Sequence, residues 1–168
     1  MMGNVANDQT EQNFYKTILT LYNIEIQLNN LLPDVINKSN DNLVRHKIGR
    51  LQNYANLQLQ RIEEIFDIYE IPMEDNQSLE IISLNNEIKN SLFEEDTLYL
   101  KNSEILHATE NIKNQEVNLI NTSLNLANRL GYTEAEEILS DALVSEERIN
   151  GYLLKNLNQN GNGTRKQA

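Results

Sequence analysis

Three glutamates occupy positions where the helical pattern of this chain otherwise places apolar side chains. They are Glu25, Glu116 and Glu146, and each interrupts one stripe of apolar residues at helical spacing. An ionised carboxylate is costly to bury unless a cation, a proton or a hydrogen-bond donor offsets its charge. Carboxylates that project inward from facing helices form the di-metal centres of helical bundles. The three glutamates therefore predict one shared polar site, with a metal ion as its candidate ligand.

The three stripes repeat every seven residues, which is typical of helices that pack against one another. Their apolar residues on either side of the glutamates are Leu21 and Leu28, Ile112 and Leu119, and Ala142 and Ile149. A fourth stripe, from Val44 to Tyr69, is interrupted by the neutral residue Gln58. The pattern predicts four long helices, each with one polar residue near the middle of its buried face.

Capping residues and prolines place the ends of the first two helices. Asp8 and Glu11 have the spacing of a capping box, and the first helix is expected to run to about Leu32. Pro33 should end or kink it before a short continuation to residue 38. Residues 39–41 supply caps for the second helix, which is expected to end near Tyr69, ahead of Pro72.

The second half of the chain repeats this arrangement after a long connection. Residues 71–96 should form the connection, with one shorter helix at about 78–94. A third long helix is expected from the cap Asp96 to Gly131, and Thr133 with Glu136 resembles the capping box of the last helix, which ends near Leu157. The bundle is thus expected over residues 11–157, with a disordered N-terminus (1–10) and a disordered tail (158–168).

The order of these helices predicts the architecture. Two antiparallel pairs with tight turns, joined by one long crossover that contains a short extra helix, make an all-α, ferritin-like antiparallel four-helix bundle. Glu116 and Glu146 lie at similar distances from the turn near Tyr132, about 24 and 21 Å along their helices. Glu25 lies about 21 Å from the turn near Ser39. Asn53 and Tyr54 lie level with it on the second helix, and Gln58 lies one turn beyond. The three carboxylates should therefore meet at one level of the bundle.

Composition excludes several classes of protein. The chain has 168 residues, no cysteine and a net charge of −11. Such a charge argues against nucleic acid as a partner and would repel an anionic membrane surface. The sequence has no apolar run long enough to span a membrane and no signal-peptide core, so a cytoplasmic location is expected.

Three segments resemble a known family, the YciF-type ferritin-like proteins of bacteria, which are associated with stress. The segments are LYNIEIQLNNLLP, QLQRIEEIF and LGYTEAEEILSDALVSEE. The similarity extends over most of the chain, from about Phe14 to Leu157. The resemblance implies a ferritin-like bundle, a homodimer, and a di-iron or ferroxidase-type centre to which Glu25, Glu116 and Glu146 would contribute carboxylates.

The chain departs from the family pattern at the residues that would bind metal. Relatives have Glu-His-Tyr-Glu where this chain has residues 113–116, so that Lys113 replaces a glutamate. Relatives also have a glutamate near Asn53 or Tyr54, and an acidic residue at the place of Asn150. The two histidines do not compensate, since His46 lies outside the site, and His107 lies nine residues from Glu116, about 13 Å along the helix. Lys113 is expected to replace a metal ion as the partner of the glutamates. Gln58, Asn53 and Asn150 are expected to add hydrogen bonds to this site without adding charge.

Two functions follow from these observations. The first is a ferritin-like, stress-associated bundle with a degenerate carboxylate metal site, which has no catalytic residue and no cofactor and acts through protein contacts. The second is an iron- or manganese-binding protein with ferroxidase or peroxide-detoxifying activity. The loss of ligands favours the first function.

Overall fold

The computed structural model describes residues 2–72 and 102–165, which form four helices. These are α1 (Met2–Lys38), α2 (Asn42–Tyr69), α3 (Asn102–Leu130) and α4 (Thr133–Arg165). Short turns join α1 to α2 and α3 to α4, while α1 also packs against α3 and α2 against α4. The helices are therefore arranged as a four-helix bundle of two pairs, and the all-α prediction is confirmed.

The helix ends differ from the expected ones at two places, the start of α1 and the end of α4. α1 begins at Met2, ahead of the capping box expected at Asp8. It does not end at Pro33 but runs on to Lys38, where the continuation was expected to stop. α4 extends to Arg165, past the end expected near Leu157. Helix thus extends beyond both boundaries of the 11–157 bundle, and the disorder of residues 1–10 and 158–168 stays a prediction. The expected crossover helix at 78–94 lies outside the described residues.

A side-chain cap marks the start of α2, and residues with positive φ mark the ends of α2 and α3. One carboxylate oxygen of Asp41 accepts hydrogen bonds from the backbone N–H groups of Leu43 (2.8 Å) and Val44 (3.3 Å), which caps α2 as expected. Glu70 ends α2 in the left-handed conformation (φ 48°). Gly131 has φ 70° in the α3–α4 turn, which suits a residue without a Cβ.

The core consists of two apolar clusters separated by a polar layer. One cluster lies toward the α1–α2 turn and includes Leu28, Ala55, Ile112 and Ile149. The other lies toward the α3–α4 turn and includes Leu21, Ile62, Ile120 and Ala142. Between them, each helix contributes buried polar residues, which are Glu25, Gln58, Lys113, Glu116 and Glu146. The three stripes that contain glutamates therefore meet at one level, as their spacing predicted. Gln58 joins them, although its spacing placed it one turn beyond.

Within the described ranges, no helix is both long and apolar enough to cross a membrane.

Glu11 and the tyrosines Tyr15, Tyr69 and Tyr132 form a network of contacts at the α3–α4 end of the bundle. Glu11 accepts hydrogen bonds from the hydroxyls of Tyr15 and Tyr132, the latter at 2.9 Å. The ring of Tyr132 stacks on that of Tyr69, with centroids 4.4 Å apart. The Tyr69 hydroxyl in turn accepts a hydrogen bond from the N–H of Ala135 in the first turn of α4 (3.1 Å). This network links α1, α2 and the start of α4.

Replacing Glu11 with alanine should lower the free energy of unfolding by about 1–3 kcal/mol, because two partly buried hydroxyls lose their common acceptor. Urea denaturation of the purified variant measures this loss. Glu11→Gln keeps an acceptor oxygen at the same place and is the matched control, expected to retain most of the stability. Equal losses in the two variants would show that the hydrogen bonds to Tyr15 and Tyr132 are not the cause.

Candidate metal centre

The three sequence-predicted glutamates converge inside the bundle. Glu25 on α1 is 1% exposed, and Glu116 on α3 and Glu146 on α4 are fully buried. One carboxylate oxygen from each lies within 4.8 Å of the others. The predicted convergence is confirmed, and the group has the spacing of oxygens that can hold a metal ion.

Lys113 places a positive charge within this group. Its ammonium Nζ lies 3.0 Å from Oε2 of Glu146 and 3.2 Å from Oε1 of Glu116. Lys113 and Glu116 are three residues apart on α3, so both side chains project from one face of that helix. Burial lowers the pKa of Lys113, but the charges of Glu116, Glu146 and Glu25 outweigh that effect and raise its pKa. The lysine therefore stays charged and bridges two helices.

Gln58 links the carboxylate of Glu146 to Arg61 and Ser145 through hydrogen bonds. Its amide Nε2 donates to Oε1 of Glu146 (3.0 Å) and to the carbonyl of Ala142 (2.9 Å). Its amide oxygen accepts from Nη1 of Arg61, which also donates to the hydroxyl of Ser145, both at 2.8 Å. Arg61 thus fixes the amide so that its NH₂ faces Glu146. The sequence indicated Gln58 through its stripe but gave no signal for Arg61 or Ser145.

Several of the other carboxylate oxygens lack a hydrogen-bond donor. Among the described residues, both oxygens of Glu25 and Oε1 of Glu116 have no hydrogen-bond partner. Oε1 of Glu116 does lie within ion-pair distance of Lys113, but without hydrogen-bond geometry. One ammonium cannot neutralise three buried carboxylates, so the remaining negative charge must be removed by protonation of carboxylates.

The pKa values of all three carboxyl groups are raised, mainly because burial disfavours the charged form. Burial and the charge of Glu116 raise the pKa of Glu146 to about 7, against the opposing effects of Lys113 and Gln58. Burial and the charge of Glu25 raise the pKa of Glu116 well above its ordinary value. Burial also raises the pKa of Glu25, although Glu116 and Lys113 act in the opposite direction. The three groups therefore titrate as a coupled set, each with a raised pKa.

In a buffer that contains a metal chelator, the free energy of unfolding should fall as the pH rises from 5 to 8. A carboxyl group with a raised pKa holds its proton in the folded state after the unfolded chain has released it. Its stabilisation is therefore complete below the unfolded pKa and is lost as the pH rises through the folded pKa. For Glu146, with a pKa of about 7, the expected loss is about 3 kcal/mol. Urea denaturation at several pH values measures it.

Glu146→Gln is the matched variant for this pH dependence, because it removes one titrating group and keeps a side chain of the same shape. Its unfolding free energy should fall less steeply over the same interval. Stability of the unchanged protein that rises from pH 5 to pH 8 would contradict raised pKa values at Glu25, Glu116 and Glu146.

The donor set does not fit the di-iron centre that the family resemblance implies. Ferritin-like di-iron sites take four carboxylates and two imidazoles from the four helices. Among the side chains that the structure describes, which do not include that of His107, the converging group has three carboxylates and no histidine. An ammonium lies within 3.3 Å of two of these carboxylates. His46 is exposed on α2, which keeps it outside the site. Two divalent cations would face a fixed positive charge and too few ligands.

Two asparagines that the sequence placed near the carboxylates have different positions in the structure. Asn53 is exposed, so it faces away from the buried layer, and the α2 residue at the site is Gln58. The reason is helical phase, since the buried stripe contains Leu51, Ala55 and Gln58, and position 53 lies on the opposite side. Asn150 is half-buried, and the hydrogen bonds described for Glu146 come from Gln58 and Lys113. The expectation that Asn53 contributes to the polar layer is therefore wrong.

Comparisons with known proteins agree with this fold. A family model described as a domain of unknown function, DUF892, matches residues 9–166. No curated protein sequence matches the chain. Among solved structures, the Escherichia coli stress protein YciF is similar with a TM-score of 0.79 and 18% sequence identity, over 91% of this chain and 97% of that one. YcfI from Rhodopseudomonas palustris gives a TM-score of 0.74 and 17% identity, over 89% and 92% of the two chains.

These similarities bear out the ferritin-like topology expected from the helix order. At such low sequence identity the two solved structures inform the fold alone, whereas the family model matches nearly the whole chain. The chain therefore belongs to the DUF892 family of YciF-type ferritin-like bundles.

Proposed function

We propose that this protein is a metal-free ferritin-like bundle that acts through protein contacts and has no catalytic residue. The position of Lys113 supports the proposal best. Its Nζ lies between carboxylates from α3 and α4, 3.0–3.3 Å from their oxygens, where a bridging cation would have to bind. A fixed charge there repels a metal ion and neutralises part of the site at the same time.

The cellular role that we propose follows the family. Because Escherichia coli YciF is a stress protein, we propose a role in stress for this chain as well, in the cytoplasm and as a homodimer. Three exposed apolar residues of α2, Leu43, Leu57 and Ile68, recur at helical spacing on one side of that helix and support a contact surface. Light scattering at tens of micromolar protein tests the dimer, and a monomer at that concentration would contradict it.

Metal content tests the main proposal. The protein is purified without a histidine tag from cells supplied with iron and manganese, and its metals are measured by mass spectrometry. We expect far less than one ion per chain. Two ions per chain would overturn the proposal and restore the di-metal centre, and one ion per chain would favour the second function below.

The second candidate is a single iron or manganese ion bound on the Glu25 side of the site. The observation in its favour is the lack of partners, among the described residues, for both oxygens of Glu25 and for Oε1 of Glu116. Carboxylate oxygens are ligands that suit Mn²⁺ and Fe²⁺. Titration with Mn²⁺, followed by electron paramagnetic resonance, tests this candidate, with Glu25→Gln as the variant that should lose binding. Ferroxidase and peroxide assays of the loaded protein then test for activity.

A further inference from the structure

Two cationic side chains lie against one aromatic ring on the α2–α4 side of the bundle, away from the buried glutamates. The ammonium of Lys47 is 5.0 Å from the centre of the Tyr152 ring, and the guanidinium carbon of Arg50 is 5.2 Å from it. Lys47 is only 3% exposed, although lysine is among the residues least often buried. Tyr152 is half-buried and Arg50 is exposed, so the group opens to solvent on one side.

The positions one helical turn away from each of these cations carry no acidic residue. Arg148 lies one helical turn before Tyr152 on α4 and adds a third cation to the same side. None of the residues three or four positions before or after Lys47, Arg50 or Arg148 is acidic, in a chain with 25 acidic and 14 basic residues. Among the side chains that the structure describes (5–72 and 109–152), the ion pairs involve Lys113 and neither Lys47 nor Arg50. The ring of Tyr152 is thus the partner shown for both cations.

The surface of α4 is open at the residue before Tyr152. Gly151 precedes Tyr152, and a Cβ added there would meet nothing within 4 Å. Glycine is unfavourable inside a helix, and no close contact at this position requires it. The space next to Tyr152 and Arg148 is therefore open.

The positive charges of Lys47 and Arg50 favour an anion as the ligand. Two like charges held near one ring repel each other, and an anion between them would remove that repulsion. A phosphate group has several oxygens and can accept hydrogen bonds from a guanidinium fork and an ammonium together. The electron-rich ring of Tyr152 would hold the two cations in place and would not itself contact the anion. We propose that Lys47 and Arg50, held by Tyr152 and with Arg148 at the edge, form a binding site for a soluble phosphate-bearing anion.

Binding of inorganic pyrophosphate to the full-length protein tests this site. Calorimetric titration is performed at constant ionic strength, with sodium chloride as the reference salt. We expect saturable binding that weakens at least about tenfold in Arg50→Gln, because one charge-assisted contact is lost. Arg50 is exposed, so this variant should fold normally, and Lys47→Met should weaken binding by at least as much. Arg45→Gln, which removes an exposed charge from another face of α2, is the matched control and should bind like the unchanged protein.

Three results would overturn the proposal. They are no saturable binding of pyrophosphate, unchanged affinity in Arg50→Gln, and an equal loss in Arg45→Gln, which would indicate a general effect of charge. A separate arm uses vesicles of anionic phospholipid, and we expect no retention, because the net charge of −11 opposes an anionic surface. Retention that depends on Arg50 would move the site from a soluble anion to a lipid headgroup and so contradict the proposal.

Discussion

Replacing Lys113 with methionine is expected to lower the free energy of unfolding by about 3–5 kcal/mol at pH 7.5. Methionine keeps most of the volume of the lysine, so the loss is electrostatic. Glu116 and Glu146 would lose the ammonium that lies 3.0–3.3 Å from their oxygens, in a layer that water does not reach. They would then have to take up protons or remain buried as unpaired charges. Urea denaturation, followed by circular dichroism, measures the change.

Two comparisons separate this effect from the general effect of losing a lysine. Lys16→Met removes an exposed charge on α1 and should change stability by no more than about 0.5 kcal/mol. At pH 5 the carboxyls with raised pKa are protonated to a greater extent, so Lys113→Met should destabilise less than at pH 7.5. A loss below about 1 kcal/mol at pH 7.5 would show that the ion pairs of Lys113 contribute little to stability.

The double change Lys113→Glu with Gln58→Glu should raise the affinity for Mn²⁺ or Fe²⁺ by on the order of 100-fold. It removes the fixed positive charge and adds two carboxylates at positions that already lie against the site. The amide of Gln58 is 3.0 Å from Glu146, and Lys113 is within 3.3 Å of both Glu116 and Glu146. Five inward carboxylates would provide the negative charge and the oxygen ligands that such cations require. Isothermal titration calorimetry measures the affinity.

The matched control is Lys113→Glu with Asn53→Glu, which has the same formal charge. Because Asn53 is exposed, its replacement adds a carboxylate outside the site, and the gain in affinity should be clearly smaller. Equal affinities in the two double variants would mean that total charge, and not ligand placement, governs binding. The folded state of both variants is checked by circular dichroism with and without Mn²⁺, because repulsion among added carboxylates is relieved when the metal binds.

The fold was largely predictable because helical periodicity is a local property. The stripes that contain Glu25, Glu116 and Glu146 required only a count along the chain, and equal distances from two turns brought them to one level. The ends of helices were less predictable. The capping box at Asp8 did not mark the start of α1, which begins at Met2 and has exposed side chains at residues 5–9.

The kinds of residue that form the site were predictable from the sequence, but only some of the individual residues were. Lys113 could be named from sequence because it lies one turn from Glu116 and replaces a family glutamate. Asn53 was placed by its depth along the helix, but depth does not give the face. Position 53 lies two positions from each of the buried positions 51 and 55, which puts it on the opposite side of α2. The side chain that reaches Glu146 from α2 is that of Gln58.

By itself, the sequence determined four amphipathic helices, their order, and one polar interruption in each, because these depend on spacing along a single chain. Only the tertiary structure decided which donors meet which oxygens. Lys113 bridges α3 and α4, Arg61 orients Gln58, and the oxygens of Glu25 lack described partners. The contacts of Glu146 with Lys113 and Gln58 join residues that are 33 and 88 positions apart. The others depend on the rotation of each helix about its own axis. Packing of all four helices determines both the long-range contacts and these rotations. The same packing brings Lys47 and Arg50 of α2 against Tyr152 of α4, a contact that periodicity cannot show.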